Sequence, residues 1–224
     1  MLPILPAIQQ CAAQIAPDTM TAIVRVESGG DPLAMWDNTA HKGYRPSSLR
    51  QALAILRRLM AAGHQVDVGI AQVDTENFRK YGLTPATALN ACTNLHAGAA
   101  ILQAAWDTTR PEYPGNPQRA LFHAFEIYNS GAPIGDRSYA NHVLAAAGIP
   151  VYIQNDGAMR YHAVQASAFA LPVQTNWDPT EQKPGDGFMQ WTVAQLVYPP
   201  QRAKPATKKA ALTTSGPVRL HINP

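Results

Sequence analysis

The sequence predicts a mainly α-helical domain over residues 1–150, followed by an irregular, proline-rich extension over residues 151–224. In the first part, apolar residues recur at helical spacing between capping residues and glycines, and no alternating strand pattern persists for more than a few residues. Eight of the 19 prolines lie within residues 171–224, where little periodicity remains. With 46% hydrophobic and 15% charged residues, the chain has a globular composition.

Six helices are predicted in the first 150 residues, each placed by its capping and stop signals. In chain order they cover residues 19–28, residues 48–62, a short helix from Thr84-Pro85, a longer helix that opens at Asn94, a helix from Asn116-Pro117 to Asn129, and a helix from Ser138 to Ala147. Asp18 or Thr19 caps the first helix, and Ser48 with Gln51 fits a capping box at the second. Glycine adopts the left-handed backbone that ends many helices. It follows four of these segments, at Gly29, Gly63, Gly131 and Gly148.

The charge is unevenly distributed along the chain. Residues 1–150 contain 11 basic and 11 acidic residues, whereas residues 151–224 contain seven basic and four acidic ones and account for the net charge of +3. A proline-rich, weakly periodic segment buries too little apolar surface to offset its chain entropy, so we predict that the extension is largely disordered. Its basic residues form either a solvated tail or an attachment to an acidic polymer or membrane face. No aromatic residue interleaves with the basic cluster after Tyr198, which disfavours nucleic acid as a partner.

Cysteine content and hydropathy bear on the cellular compartment. Cys11 and Cys92 are compatible with two reduced core thiols or with one disulfide, and neither lies in a CxxC pair. No stretch reaches the roughly 20 apolar residues of a membrane-spanning helix. The apolar N-terminus lacks the basic residues that begin a secretory signal, since the first basic residue is Arg25. A route of export is therefore not visible in the sequence.

Three short segments carry polar residues of the kind found in catalytic clefts. Glu27 and Ser28 end the first predicted helix, where the helix dipole disfavours a carboxylate and apolar neighbours raise its pKa. A general acid that works at neutral pH needs a pKa raised in this way. Gln72 lies in a Gly-apolar-small-Gln-apolar run, and Tyr128 and Asn129 close the fifth predicted helix. Taken singly, these residues also fit plain structural roles: a solvated carboxylate, a buried turn, a packed ring and a helix end.

Taken together, the order and spacing of these segments resemble the lysozyme-like lytic transglycosylases, whose fold is that of goose-type lysozyme and the soluble lytic transglycosylases. The resemblance covers residues 2–147 and is closest to the transglycosylase subunit of bacterial type IV secretion and conjugation systems. It depends on four motifs, which are Glu27-Ser28, the Gly69–Val73 segment, the helix residues Asn94, Leu95, Gly98, Ile101 and Leu102, and Tyr128-Asn129 followed by Gly131.

The resemblance implies an enzyme that cleaves the MurNAc–GlcNAc β-1,4 bond of peptidoglycan with formation of a 1,6-anhydromuramoyl product. Glu27 would protonate the leaving oxygen and then act as the base toward the muramoyl 6-hydroxyl. Ser28 and Gln72 would bind the substrate by positioning its N-acetyl group and the backbone. Tyr128 and Asn129 would orient Glu27 and the muramoyl sugar.

The same resemblance implies a location and a set of partners. It places the protein in the periplasm, acting on glycan strands, with no cofactor and no metal. Cysteines at the positions of Cys11 and Cys92 imply a disulfide that ties the first helix to the core. Residues 151–224 would contact other subunits of the envelope machine. Ala71 departs from the family pattern, because it replaces a bulky residue and could widen a sugar subsite.

Other functions remain open on the sequence. A weakly active or inactive glycan-binding scaffold of the same machine would keep the fold, although an intact Glu27 disfavours it. A hydrolytic lysozyme needs a second carboxylate, for which Asp67 and Asp74 are the candidates. A metal hydrolase is disfavoured because the seven histidines form no HExxH motif, and Cys92 lacks the context of a peptidase nucleophile.

Overall fold

The computed structural model describes residues 4–132, 134–149, 151–153 and 159–161, and within them the fold is mainly α-helical, as predicted. The helices are α1 (Ile4–Cys11), α2 (Pro17–Glu27), α3 (Leu49–Ala61), α4 (Pro85–Ala88), α5 (Ala91–Thr109), α6 (Pro117–Ser130) and α7 (Arg137–Ala146). The strands are β1 (Met35–Asp37), β2 (Lys42–Tyr44), β3 (Val66–Val68), β4 (Val73–Asp74), β5 (Val151–Ile153) and β6 (Met159–Tyr161).

The capping signals placed most helix ends correctly, but α2 begins at Pro17 with Ala16, not Asp18 or Thr19, at its cap. Ser48 accepts a hydrogen bond from the Gln51 backbone N–H at the start of α3, at 3.3 Å. Asn116 caps α6, and Gly131 ends that helix in the left-handed conformation with φ +73°. These signals succeed because a side chain only two or three residues away satisfies the free N–H groups of a first helical turn.

The start of α5 differs from the prediction. The cap is Asn90, whose Oδ1 accepts the Thr93 backbone N–H at 3.0 Å, rather than Asn94. Asn94 lies one turn inside the helix and is fully buried. Its amide instead binds the backbone of the β3–β4 turn, so a residue that resembles a cap from sequence has a tertiary role.

A small antiparallel sheet, which the sequence did not reveal, lies between α2 and α4 in sequence. Its four strands are ordered β2-β1-β3-β4, with Met35 opposite Val68 and Val68 opposite Val73. Each strand has only two or three residues, so no alternating pattern could develop in the sequence. The sheet matters for function because its β3–β4 turn contains Gln72.

The interior is one continuous hydrophobic cluster that includes side chains from both the helices and the sheet. Helix α5 lies within it and packs against α1, α4 and α6. A disulfide joins Cys11 at the end of α1 to Cys92 at the start of α5, with the two Cα atoms 5.1 Å apart. The predicted disulfide is therefore confirmed, and it fastens the N-terminal helix to the core.

The predicted extension begins at residue 151, and most of it lies outside the described residues. The exception is the hairpin of β5 and β6, in which Val151 is paired with Tyr161. Strand β5 lies against α7, so ordered chain continues past residue 150. In the part of the chain that the structure covers, no helix is both long and apolar enough to cross a membrane.

Candidate active site

Glu27 is the last residue of α2, and its side chain is only partly buried. The preceding residues Ile23 and Val24 are fully buried, which anchors the helix end in the core. Burial raises the pKa of Glu27 from 4.5 to about 8, although a hydrogen bond from Tyr139 lowers it. The raised pKa favours the protonated form of Glu27 at neutral pH, which is the state that a general acid requires.

Tyr139 orients this carboxyl group. Its Oη donates a hydrogen bond to Glu27 Oε1 at 2.7 Å. The phenol ring is almost completely buried and lies parallel to the ring of Tyr128, with the ring centroids 6.4 Å apart. Tyr139 stands in the first turn of α7, whose cap is Asp136. Of the described residues, it is the one whose side chain holds the candidate acid.

We expected Tyr128 to orient Glu27, but the hydroxyl that is hydrogen-bonded to Glu27 is that of Tyr139. Tyr128 is fully buried, and its Oη donates to the backbone oxygen of Ala71 at 2.8 Å. Burial, with the nearby charge of Glu27, raises the pKa of Tyr128 well above its ordinary value. The Tyr128 hydroxyl does not bond to Glu27 because it reaches the β3–β4 turn and makes its hydrogen bond there.

Gly98 and Ala71 allow this close approach. A Cβ atom at Gly98 would lie 2.7 Å from the Ala71 Cβ and 3.0 Å from the Tyr128 Oη. Ala71 is itself completely buried. The expectation that its small side chain widens a sugar subsite is therefore wrong: it makes room for α5 to pack beneath the turn.

Gln72 occupies the β3–β4 turn in a left-handed conformation, with φ +46°. Its Nε2 donates to the backbone oxygens of Ala34 and Gly69 at 3.0 and 2.7 Å. These two bonds hold the side chain in place and use both amide hydrogens. The Oε1 atom makes no hydrogen bond to the described residues, so it is the part of Gln72 that remains for a ligand. A strained backbone held by its surroundings is common at functional sites.

Ser28 links the end of α2 to the same turn. Its Oγ donates to the backbone oxygen of Ile70 at 2.8 Å and accepts the Gly30 backbone N–H at 3.1 Å. The side chain is 1% exposed. Ser28 therefore fixes Glu27 relative to the Gln72 turn, and its hydroxyl is occupied by protein groups.

Asn129 lies near the end of α6. It is 4% exposed, and its Nδ2 donates to Asp136 Oδ2 at 3.4 Å. Its buried Oδ1 has no hydrogen-bond partner among the described residues. Asn129 thus contacts the residue that caps α7, the helix that carries Tyr139.

The three predicted segments converge on the backbone of the β3–β4 turn. Ser28 binds the Ile70 carbonyl, and Tyr128 binds the Ala71 carbonyl. Asn94 completes the set, since its Oδ1 accepts the Ala71 N–H and its Nδ2 donates to Val68, each at 2.8 Å. Residues far apart in sequence therefore build one rigid support beside Glu27.

The two candidate second carboxylates are part of the sheet. Asp67 on β3 accepts a hydrogen bond from Asn38 Nδ2 at 3.0 Å and lies opposite Asp74 on β4. Asp74 accepts the Glu76 backbone N–H at 2.7 Å, and burial raises the pKa of Asp74 to about 6. No group of three or more His, Cys, Asp or Glu side chains within the described ranges is arranged to hold a metal ion.

Comparison with known proteins assigns the family. Residues 5–141 match the transglycosylase SLT domain, which covers more than half of the chain. The chain belongs to the SLT transglycosylase family. The predicted lytic transglycosylase and its lysozyme-like helical fold are thereby confirmed.

Similarity to individual proteins narrows the family assignment. The type IV secretion system protein virB1 of Brucella abortus biovar 1 is 34% identical over 230 residues, covering 98% of this chain and 90% of that protein. The virB1 protein of Brucella suis biovar 1 is equally similar. Protein virB1 of Rhizobium radiobacter is 38% identical over 133 residues, covering 59% of this chain and 54% of that protein. Within the family, the chain belongs with the virB1 proteins. No solved structure gives a significant match.

Proposed function

We propose that this transglycosylase cleaves the MurNAc–GlcNAc bond of peptidoglycan to form a 1,6-anhydromuramoyl end, and opens the cell wall locally for a type IV secretion or conjugation machine. The observation that carries the proposal is the geometry of Glu27, which ends α2 in the motif position and accepts a hydrogen bond from Tyr139. Burial raises its pKa to about 8, which favours the protonated form at neutral pH. The SLT match and the similarity to virB1 proteins support the substrate and the setting.

One carboxyl group is sufficient for this reaction. Glu27 gives its proton to the glycosidic oxygen as the bond from that oxygen to the muramoyl C1 breaks. The resulting carboxylate then takes the proton from the muramoyl 6-hydroxyl as O6 forms a new bond to C1. The proton on Glu27 is thereby restored, and no water is consumed. The hydrogen bond from Tyr139 Oη stabilises the carboxylate that forms between the two steps.

The remaining site residues receive roles that agree with their contacts. We expect Gln72 to accept a hydrogen bond from the substrate through Oε1, since both its amide hydrogens are bound to the backbone. Ser28 and Tyr128 act by holding the turn that carries Gln72. Asn129 acts on the start of α7, because its side chain bonds to the cap residue Asp136 and places its buried Oδ1 nearby.

The protein is proposed to work in the periplasm, with residues 151–224 serving attachment. These residues carry the excess positive charge, which suits weak and salt-sensitive contacts with acidic surfaces of partner subunits. Because β5 lies against α7, a truncation should retain the hairpin and end after Tyr161. We expect the truncated protein to cleave soluble glycan fragments at the full rate but to associate less with envelope components. Loss of folding on truncation would show that the extension completes the core.

The catalytic assignment is tested by digesting purified sacculi with the Glu27→Gln variant. Loss of a general acid should slow muropeptide release by about 10²–10⁴-fold. Glu76→Gln is the matched control, because it makes the same chemical change at an exposed position. Release by folded Glu27→Gln at more than about a hundredth of the wild-type rate would show that Glu27 is not the acid.

A further inference from the structure

Glu126 is a fully buried carboxylate for which the proposed mechanism has no use. It lies on α6 and contacts two basic side chains. Its Oε2 is 2.6 Å from His123 Nδ1, and its Oε1 is 3.6 Å from Arg137 Nε. A carboxylate is buried at a high cost in free energy unless it is paired, and removing one partner of such a pair disrupts the structure around it. The ion pair therefore links Arg137 to a buried carboxylate on α6.

Arg137 connects this pair to the active site. It is the first residue of α7, and Tyr139 follows two residues later. The Arg137 side chain is 25% exposed, so Glu126 is the more deeply buried partner of the pair. A shift of the α7 start would move the Tyr139 hydroxyl away from Glu27.

Other polar contacts hold the rest of α7. At its N-terminal end, Asn129 Nδ2 donates to Asp136 Oδ2 at 3.4 Å. At its C-terminal end, Arg25 Nη1 donates to the Ala146 carbonyl at 3.1 Å. Arg25 lies on α2, the helix that ends in Glu27. The helix is thus fastened to α6 at one end and to α2 at the other, with the Tyr139–Glu27 bond between them.

The surroundings of Glu126 limit how it could relax. The imidazole of His123 stacks on Tyr113 with the ring centroids 4.7 Å apart. The Arg119 guanidinium lies 5.0 Å from the Tyr113 ring centroid. These stacking contacts keep His123 in place. Oε2 of Glu126 is therefore held by a residue of the same helix, while Oε1 faces Arg137.

We propose that Glu126 is a positioning residue for the transglycosylase reaction: it holds Arg137 and the start of α7 so that the Tyr139 hydroxyl meets Glu27. The inference rests on the proposed function. It requires that Glu126 act through Tyr139, so that removing Tyr139's hydroxyl also removes the influence of Glu126.

A double-mutant cycle tests this dependence, with Glu126→Gln, Tyr139→Phe and the combined variant. Gln is nearly isosteric with Glu and keeps a hydrogen bond to His123, while the charge that holds Arg137 is lost. We expect Glu126→Gln to lower kcat by about tenfold, as displacement of a catalytic contact does, with little change in KM. In the Tyr139→Phe background it should have no further effect, because coupled residues are not additive. The matched control is Glu76→Gln, whose side chain is exposed.

A second readout does not depend on activity. The pKa of Glu27, followed by NMR titration of its carboxyl carbon, should rise in Tyr139→Phe because the hydrogen bond that lowers it is lost. Glu126→Gln should raise it in the same direction, and the combined variant should match Tyr139→Phe alone. This titration separates the positioning role of Glu126 from the proposed function. If the protein does not cleave glycan, the proposed function fails, but the pKa of Glu27 in the variants can still be compared.

Three results would overturn the inference. They are an unchanged kcat in Glu126→Gln, effects of the two substitutions that multiply, and an unchanged Glu27 pKa in a folded Glu126→Gln variant. If Glu126→Gln fails to fold, Arg137→Gln replaces it in the same cycle. Arg137 is partly exposed, and its substitution removes the same ion pair with Glu126. The same three results then apply to Arg137→Gln.

Discussion

Replacing Glu27 with Gln is expected to stabilise the folded protein at neutral pH while it removes activity. Burial raises the pKa of Glu27 from 4.5 to about 8 in the folded state. The unfolded chain restores the ordinary pKa, so between these two values unfolding releases a proton. A raised folded pKa contributes stability that is complete below the unfolded pKa and is lost as the pH rises toward the folded value. Gln does not ionise, so the variant does not suffer this loss.

The size of the effect follows from the two pKa values of Glu27. Between pH 4.5 and about 8, each pH unit lowers the unfolding free energy of the wild type by about 1.4 kcal/mol relative to the variant. The difference is therefore less than about 1 kcal/mol at pH 5 and about 3 kcal/mol at pH 7. Gln preserves the shape of the side chain, and its oxygen still accepts the hydrogen bond from Tyr139. Packing differences between the two proteins thus cancel when the two pH values are compared.

Urea denaturation of both proteins at pH 5 and pH 7, with the disulfide intact and ionic strength constant, measures the difference directly. The unfolding free energy of Glu27→Gln should exceed that of the wild type more at pH 7 than at pH 5. The same substitution at the exposed Glu112 serves as the control. Equal differences at both pH values would mean that Glu27 has the same pKa in the folded and unfolded protein, contrary to this prediction.

Three further predictions concern the support of the site. Tyr139→Phe should reduce cleavage by about tenfold and move the basic limb of the pH–rate profile to higher pH, because the hydrogen bond that lowers the pKa of Glu27 is removed. A basic limb at the same pH would contradict this. Gly98→Ala should lower the unfolding free energy by about 1–3 kcal/mol in urea, because its Cβ would lie 2.7 Å from that of Ala71; an unchanged midpoint would refute the close packing. Reducing the Cys11–Cys92 disulfide, which spans 81 residues, should cost about 4–5 kcal/mol, and an unchanged melting temperature under reductant would contradict it.

The helices could be predicted because their signals are local. Ser48 and Asn116 act on backbone N–H groups within the next three residues, and Gly131 supplies a left-handed C-cap. Sequence spacing contains this information directly. The strands could not be found, because pairs such as Met35 with Val68 join segments of two or three residues across intervening chain.

The site was predictable only in part, for the same physical reason. Glu27 and Gln72 were recognised because each lies in a short motif. Tyr139 was not, because its contact with Glu27 spans 112 residues and depends on how α7 packs. Its position in the first turn of a capped helix indicates nothing about the carboxyl it meets. The burial of Ser28 was likewise invisible, since it follows from packing of the helix end on the turn.

In the proposed mechanism, Glu27 alone supplies the acid and the base, and the substrate's own 6-hydroxyl replaces water. The mass of the muropeptides released from purified sacculi tests it most directly. We expect the wild type to release 1,6-anhydromuramoyl ends, each one water lighter than a hydrolysed end, and Glu27→Gln to release almost nothing. Products with hydrated, reducing muramoyl ends would contradict this mechanism, because they would require a second group that activates water.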